Sequence, residues 1–311
     1  MVDSSKLWEF RWHGRGGQGA WTASELLART AFITSCNCRG DTYNIQSFPE
    51  FGPERMGAPV TAFTRISGEH IRIRCAVYEP DVVIVLDSTL LKSVFVTAGL
   101  KEGGHLIVNS KESAEKLAKI LEVPKGRTVW TVKATELAMD SLRKPVTNTA
   151  MLSVVAKATG LVSLEDIEKT LRNRFNPDLA EKNIAVVKEA YEKCDSFFVV
   201  ETSSLENSAS IHSVTEQKEN WTGLPIAAVS PKQSTDFLTG DWKTFKPVVN
   251  LEKCVACLTC AIFCPEGAVH WNSELGKVEF TLEKKFCKGC GVCANECPQK
   301  AITMELSARD E

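Results

Sequence analysis

Apolar positions along this chain fall into two alternating patterns. Short, largely apolar runs at Leu7 to Trp12, Val82 to Leu86, Leu106 to Val108 and Thr128 to Val132 read as strands of a parallel sheet covered on both faces. Between them, Ala23, Leu26, Leu27 and Ala31, then Ala114, Leu117, Ala118 and Leu121, recur at helical spacing and mark one face each. Strand and helix in alternation predict an α/β layer fold. One stretch departs from it. Ile71, Ile73, Cys75 and Val77 alternate with Arg72 and Arg74 after an extended run, Val60 to Ile66, and the turn Ser67-Gly68-Glu69-His70. That pattern predicts a hairpin with one wet face and Cys75 on the apolar side. Two further helices are predicted. The first opens on a capping-box pattern at Ser163 and Asp166, with Leu164, Ile167, Leu171 and Phe175 on one face. The second follows Pro177, carries Ile184, Val187 and Tyr191, and ends at Cys194. They close a first domain over residues 1–200.

Residues 201–245 turn polar and turn-rich (Ser203, Ser204, Asn207, Ser208, Ser210, then Gly223, Pro225, Pro231 and Gly240) with no sustained period, and read as a linker or strap. Residues 246–311 carry an internal repeat. Cys254-Val-Ala-Cys257-Leu-Thr-Cys260-Ala-Ile-Phe-Cys264-Pro265 recurs as Cys287-Lys-Gly-Cys290-Gly-Val-Cys293-Ala-Asn-Glu-Cys297-Pro298, an offset of 33 residues (287 minus 254). The flanks echo as well, Leu251-Glu252-Lys253 against Leu282-Glu283-Lys284 and Ala268-Val269 against Ala301-Ile302. Such a duplication predicts a small α+β domain of two half-modules about a pseudo-twofold axis.

Composition narrows the classes. A length of 311 residues suits two domains at about 150 residues each, and 43% hydrophobic with 24% charged residues is a folding composition. With 37 basic and 39 acidic residues the net charge is -2, so no global field recruits nucleic acid or an anionic membrane. No apolar run approaches the roughly 20 residues of a membrane-spanning helix. Met1 to Trp12 shows no secretory h-region, which predicts a cytoplasmic protein. Twelve cysteines in a reducing compartment point to metal rather than disulfides.

Eight of them lie between Cys254 and Cys297. Three thiolates at C-x2-C-x2-C wrap three corners of a cubane, and the fourth corner needs a ligand from another direction. In the two-cluster arrangement the Cys-Pro cysteine of each run ligates the other cluster. One [4Fe-4S] cluster is therefore expected on Cys254, Cys257, Cys260 and Cys297, and the second on Cys287, Cys290, Cys293 and Cys264. Structural zinc is the competing account, but it uses C-x2-C pairs and has no need of the third closely spaced cysteine. Gly289 and Gly291 suit close backbone approach to cluster sulfur. Cys36, Cys38, Cys75 and Cys194 are read as buried or structural thiols. His13 and His70 lack a second ligand at metal spacing and read as ordinary surface or turn residues.

Gly14-Arg-Gly16-Gly-Gln-Gly19 satisfies G-x-G-x-x-G between a predicted strand and a predicted helix, the context of a dinucleotide fingerprint. Asp41 stands at about the distance of the acidic ribose partner, in surroundings that do not read as a strand end. The plainer reading is a tight strand-to-helix turn with free N–H groups for an anion or a neighbouring chain.

The loop Gly14 to Gly19, the segment Gln46-Ser-Phe-Pro-Glu-Phe-Gly52-Pro53-Glu54-Arg55-Met-Gly57-Ala-Pro59 and Pro80-Asp81-Val-Val-Ile-Val-Leu-Asp87 resemble the gamma subunit of the 2-oxoacid:ferredoxin oxidoreductases. The tail from Trp242-Lys-Thr-Phe-Lys-Pro247 through both cysteine runs looks like their delta, ferredoxin-type subunit. Within the pyruvate-type branch, the fused gamma-delta chain most resembles that of the oxalate oxidoreductases. The resemblance implies a Rossmann-like α/β domain followed by a ferredoxin-like domain, two [4Fe-4S] clusters, and separate alpha- and beta-type chains that hold thiamine diphosphate and Mg. It also implies ferredoxin as electron acceptor and a dimer of heterotrimers. This chain lacks the magnesium-diphosphate signature of those partners, since Gly40-Asp41 is followed by Thr42 and Gly240-Asp241 by Trp242. Glu54, Arg55 and Arg15 then belong to an interface, the arginines as anion partners. Two alternatives stand beside oxalate cleavage: the same subunit in a coenzyme A-using pyruvate:ferredoxin oxidoreductase, and an NAD-linked ferredoxin reductase.

Overall fold

The computed structural model describes residues 6–37, 43–50, 57–200, 238–270 and 281–307. They fall into two compact units, one within Met1–Thr215 and the other within Glu216–Glu311.

The first unit is built on a seven-stranded sheet of β1 (Trp8–Arg15), β2 (Asn44–Glu50), β3 (Pro59–Ser67), β4 (Val82–Val85), β5 (His105–Asn109), β6 (Thr128–Val132) and β7 (Asp195–Phe198), in the order β2-β3-β1-β4-β5-β6-β7. β1, β4, β5 and β6 run parallel, as the apolar runs predict, while β2 and β7 pair antiparallel at the two edges. Six helices connect and cover them: α1 (Ala20–Asn37), α2 (Ala114–Ile120), α3 (Ala134–Leu142), α4 (Asn148–Thr159), α5 (Leu164–Arg174) and α6 (Pro177–Lys193). One face of the sheet, with Phe10, Trp12, Ile84 and Ile107, packs on α1, α4 and α6. The other, with Val83, Val85, Leu106 and Val108, packs on α2 and the segment around Leu90 to Leu100. The polar residues that start the helices do so by capping. The Ser163 hydroxyl accepts from the Asp166 amide at 3.1 Å, and the Asn176 side chain accepts from the Leu179 amide at 2.9 Å just ahead of Pro177.

The expected hairpin is absent. β3 pairs antiparallel with β1 and β2, and residues 71–79 form no strand. Their carbonyls are taken by side chains instead: Gln46 donates to Ile73, Arg65 to Ala76, and Arg11 to Val77 and Tyr78. Alternation in the sequence is therefore only partly expressed as burial; Ile71 and Val77 are buried, whereas Ile73 and Cys75 are exposed.

β1 departs from the usual central strand of such a sheet. Phe10 and Trp12 face the helical core, but Glu9, Arg11, His13 and Arg15 line the opposite face and are buried or nearly so. Arg11 also reaches the Val96 carbonyl, so one guanidinium ties two irregular segments to the sheet. His13, expected at the surface, is buried, and its Nε2 accepts from Arg11 Nε at 3.1 Å.

The second unit holds β8 (Phe245–Val249), α7 (Thr259–Ile262), β9 (Val269–His270), β10 (Thr281–Leu282), α8 (Val292–Asn295) and β11 (Ile302–Leu306). β8 pairs antiparallel with β11, and β9 with β10. A short 3-10 turn at Thr239–Trp242, inside the stretch read as linker, is tied to this unit by Thr239 Oγ1 donating to the Phe286 carbonyl at 2.7 Å. Asp41, Cys38, Glu54, Arg55 and most of the strap lie outside the described residues.

Burial, reinforced by the neighbouring Arg11 cation, pulls the His13 pKa down to about 3. An unfolded histidine titrates near 6.5, so the unfolded chain binds the extra proton first and stability falls as pH drops from about 6.5 toward 3, by up to about 1.4 kcal/mol per pH unit. Hydrogen exchange of the β1 amides in the full chain should show this slope, and His13→Gln should remove it; an unchanged slope in the variant would assign the acid sensitivity elsewhere.

Candidate metal centre

The repeat dictates a local geometry that the two halves share. Left-handed backbone recurs at matching positions, Ala256 (φ 56°) with Gly289 (φ 67°), Leu258 (φ 63°) with Gly291 (φ 80°), and Gly267 (φ 58°) with Lys300 (φ 47°). Leu258 and Gly291 each stand immediately before a one-turn helix, α7 or α8, whose second residue is the third cysteine of the run. The turns curl each C-x2-C-x2-C segment around a hollow. Behind each Cys-Pro, the chain doubles back so that the Ala268 amide donates to Cys264 Sγ and the Ala301 amide to Cys297 Sγ, both at 3.3 Å.

Two cavities result. Cys254, Cys257, Cys260 and Cys297 line the first, along with Val249, Ala301 and Ile302. Cys264, Cys287, Cys290 and Cys293 line the second, along with Pro247 and Met304. Each cavity thus draws three sulfurs from one repeat and one from the other. The third cysteines, Cys260 and Cys293, sit on the adjacent helices α7 and α8. Burial pushes the Cys293 thiol up to about 11, with Cys290 adding to the rise, and moves Cys260 and Cys287 in the same direction. Thr259 beside Cys257 lowers that thiol through a 3.3 Å hydrogen bond. Buried thiols of this kind become thiolates when a cation replaces their protons.

The donor set discriminates between metals. Four sulfurs per cavity select soft, thiophilic centres. Zinc sites use C-x2-C pairs, whereas each run here adds a third closely spaced cysteine. Sulfurs spread around a shared hollow fit a polynuclear iron–sulfur group, with N–H···S bonds and backbone curvature of the type that tunes it. Sequence reading passed over Lys288 and Glu266, which line the second cavity and form a 2.8 Å ion pair. Comparing the repeats position by position would have found them, because their counterparts, Val255 and Gln299, carry no charge.

The glycine loop holds a different arrangement. The strand order reverses at β1, so the crevice beyond β1 and β4 is where a doubly wound sheet takes a dinucleotide. Arg15 and Asp87 fill it, both buried, 3.4 Å apart at Nε and Oδ2. Gln18 donates to Asp87 at 2.6 Å, and Arg15 donates to Thr89 Oγ1 at 2.7 Å. The Gly16 amide, expected to be free, donates to the Ala58 carbonyl. Gly19 (φ 81°) lies so close to Asn148 that a side chain there would meet its amide. Arg15 is therefore an internal partner of Asp87 rather than a surface anion site.

The fold and the sulfur-lined hollows define an α/β unit joined in one chain to a two-centre, ferredoxin-type module. Residues 9–193 match the family described as pyruvate ferredoxin/flavodoxin oxidoreductase, and residues 231–304 match the 4Fe-4S dicluster domain. The chain belongs to the pyruvate ferredoxin/flavodoxin oxidoreductase family. It is 51% identical over 190 residues to the pyruvate/ketoisovalerate oxidoreductases common subunit gamma of Pyrococcus furiosus, covering 61% of this chain and 98% of the relative. Against pyruvate synthase subunit PorC of Methanocaldococcus jannaschii the identity is 44% over 185 residues, 60% of this chain and 96% of the relative. The crystal structure of pyruvate oxidoreductase subunit PORC from Thermotoga maritima superimposes with a TM-score of 0.52 at 36% identity, over 62% of this chain and 99% of that one. Nearly all of each relative is thus accounted for by about three fifths of this chain.

A Cβ at Gly289 would run into the Phe245 carbonyl, whereas Ala256 already carries one at the matching position. Gly289→Ala is expected to cut bound iron from about eight atoms per chain to about four, while Ala256→Gly retains all eight and relieves about 1–2 kcal/mol of left-handed strain. Iron and sulfide analysis of both variants checks this; equal loss in both would contradict the packing account. Stripping iron from the full chain with a chelator should raise hydrogen exchange throughout β8 to β11 and leave β1, β4 and β5 protected.

Proposed function

We propose that this chain is the electron-transfer and assembly subunit of a thiamine diphosphate-dependent 2-oxoacid:ferredoxin oxidoreductase, working with separate alpha- and beta-type chains that hold thiamine diphosphate and Mg. The observation that carries the reading is the pair of four-sulfur hollows on a chain of this family, each lined by three cysteines of one repeat and one of the other. Cys254, Cys257, Cys260 and Cys297 would hold one [4Fe-4S] cluster and Cys287, Cys290, Cys293 and Cys264 the second. When bound, the clusters supply one-electron carriers of low reorganisation between the partner chains and ferredoxin. The chain's own residues do the rest. Val249, Ala301 and Ile302 keep water from the first hollow, the Ala268 and Ala301 amides stabilise anionic sulfur, and α7 and α8 set the two sites side by side.

An NAD-linked reductase finds less support, because Arg15, Gln18 and Asp87 occupy the crevice it would use. Calorimetric titration of the full chain with NADH should give no saturable binding.

For the substrate of the complex, the fused gamma-delta order supports oxalate, and the names of the curated relatives support pyruvate. We take oxalate as the finer reading. Its cleavage gives two CO2 and two electrons and leaves no acyl group for coenzyme A. The test is optical: purify the complex by following this chain, then watch iron–sulfur bleaching on adding oxalate or pyruvate with and without coenzyme A. Bleaching by oxalate without coenzyme A is the expected result. A response to pyruvate that coenzyme A accelerates would overturn the oxalate reading and leave the electron-transfer role standing.

A further inference from the structure

The duplicated module has two hollows whose cysteines and left-handed positions match one for one, so the residues that differ between them stand out. The residue after the first cysteine is Val255 in one repeat and Lys288 in the other; the residue after Cys-Pro is Glu266 in one and Gln299 in the other. Because the Cys-Pro segments cross over, Val255 and Gln299 line the first hollow while Lys288 and Glu266 line the second. One hollow therefore has a neutral pair where its twin has a cation and an anion.

The charged pair is held in place. Lys288 Nζ and Glu266 Oε1 are 2.8 Å apart, with side chains only 12% and 19% exposed. The ammonium also lies over the Trp242 ring, 4.9 Å from its centroid. Charges screened so little by water act strongly on their surroundings. The pair also bridges the repeats, tying the segment that carries Cys264 to the loop that carries Cys287 and Cys290. Its first-hollow counterpart can form no such tie, and Val255 is 61% exposed.

We propose that the Lys288–Glu266 ion pair makes the two iron–sulfur sites inequivalent, clamping the crossing ligand Cys264 onto its site and setting that cluster's reduction potential apart from that of its neutral twin. This rests on the reading that each hollow holds one [4Fe-4S] cluster. Lys288 and Glu266 act as positioning and tuning residues. Reduction adds one electron to an anionic cluster, so a nearby cation favours it and a nearby anion opposes it. Lys288→Val leaves Glu266 uncompensated and makes its cluster harder to reduce, whereas Glu266→Gln leaves Lys288 uncompensated and makes it easier.

The experiment is a potentiometric titration of the anaerobically purified full chain, followed by electron paramagnetic resonance, with iron counted in every sample. Lys288→Val and Glu266→Gln should move one of the two reduction waves in opposite directions, each by a tenfold or greater change in its reduction equilibrium, about 59 mV for one electron. The other wave should stay where it is. The reciprocal changes, Val255→Lys and Gln299→Glu, should move that other wave, up and down respectively. Full iron with neither wave displaced, or with both displaced together, would overturn the proposal and spare the cluster assignment. A wild-type chain that binds fewer than two clusters would overturn the cluster assignment and the proposal with it.

Discussion

The second unit has almost no oil to hold it together. Among its described residues the buried apolar side chains amount to Pro247, Ala268, Val269, Cys287, Ala301 and Ile302, against the dozens that fill both faces of the sheet in the first unit. A small fold with so thin a core relies on other links, and ligation is the commonest of them. That constraint accounts for much of the geometry. The chain can spend three residues in left-handed backbone that are not glycine, Ala256, Leu258 and Lys300, because the sulfurs they bring together repay the strain. It also explains the crossing of the Cys-Pro segments: a site drawing ligands from both halves joins halves that share little apolar contact.

The first unit solves the opposite problem. Its core is ample, and its unusual feature is polar: a row of charged and polar side chains along one face of β1, buried or nearly so. Glu9 pairs with Arg65 at 2.9 Å and with Lys101 at 3.3 Å, Arg15 pairs with Asp87, and Arg11 rests on backbone carbonyls, with no carboxylate partner among the described residues. Breaking such a buried arrangement by removing one member is costly, since the partner is left uncompensated. The row pins the irregular segments 71–79 and 94–98 to the sheet and closes the crevice that a cofactor would enter.

How far the sequence foretold this depended on which force governed each element. β1, β4, β5 and β6 were legible because burial on both faces leaves a plain apolar run, and α5 and α6 because Ser163 and Pro177 mark their starts. α4 escaped notice because every residue from Asn148 to Ala156 is buried, leaving no polar face to reveal a period. β2 escaped because Pro49 and polar residues suit only an edge strand. The alternation at Ile71 to Val77 misled because side chains from distant strands, Gln46, Arg65 and Arg11, claim its carbonyls, and no local pattern announces such partners. The two C-x2-C-x2-C runs were readable since their spacing is a local property of the chain. The Lys288–Glu266 contact was not, because it spans the two repeats.

The pairing of β8 with β11, Phe245 opposite Leu306 and Val249 opposite Ile302, brings the first and last described strands of the second unit to the same edge. A module whose outer strands meet can be carried on another polypeptide as a cartridge, because joining it at one side leaves its strand pairing undisturbed. Fusing such a cartridge to the α/β unit spares the two the cost of finding each other in dilute solution, and guarantees one iron–sulfur module for every α/β unit made.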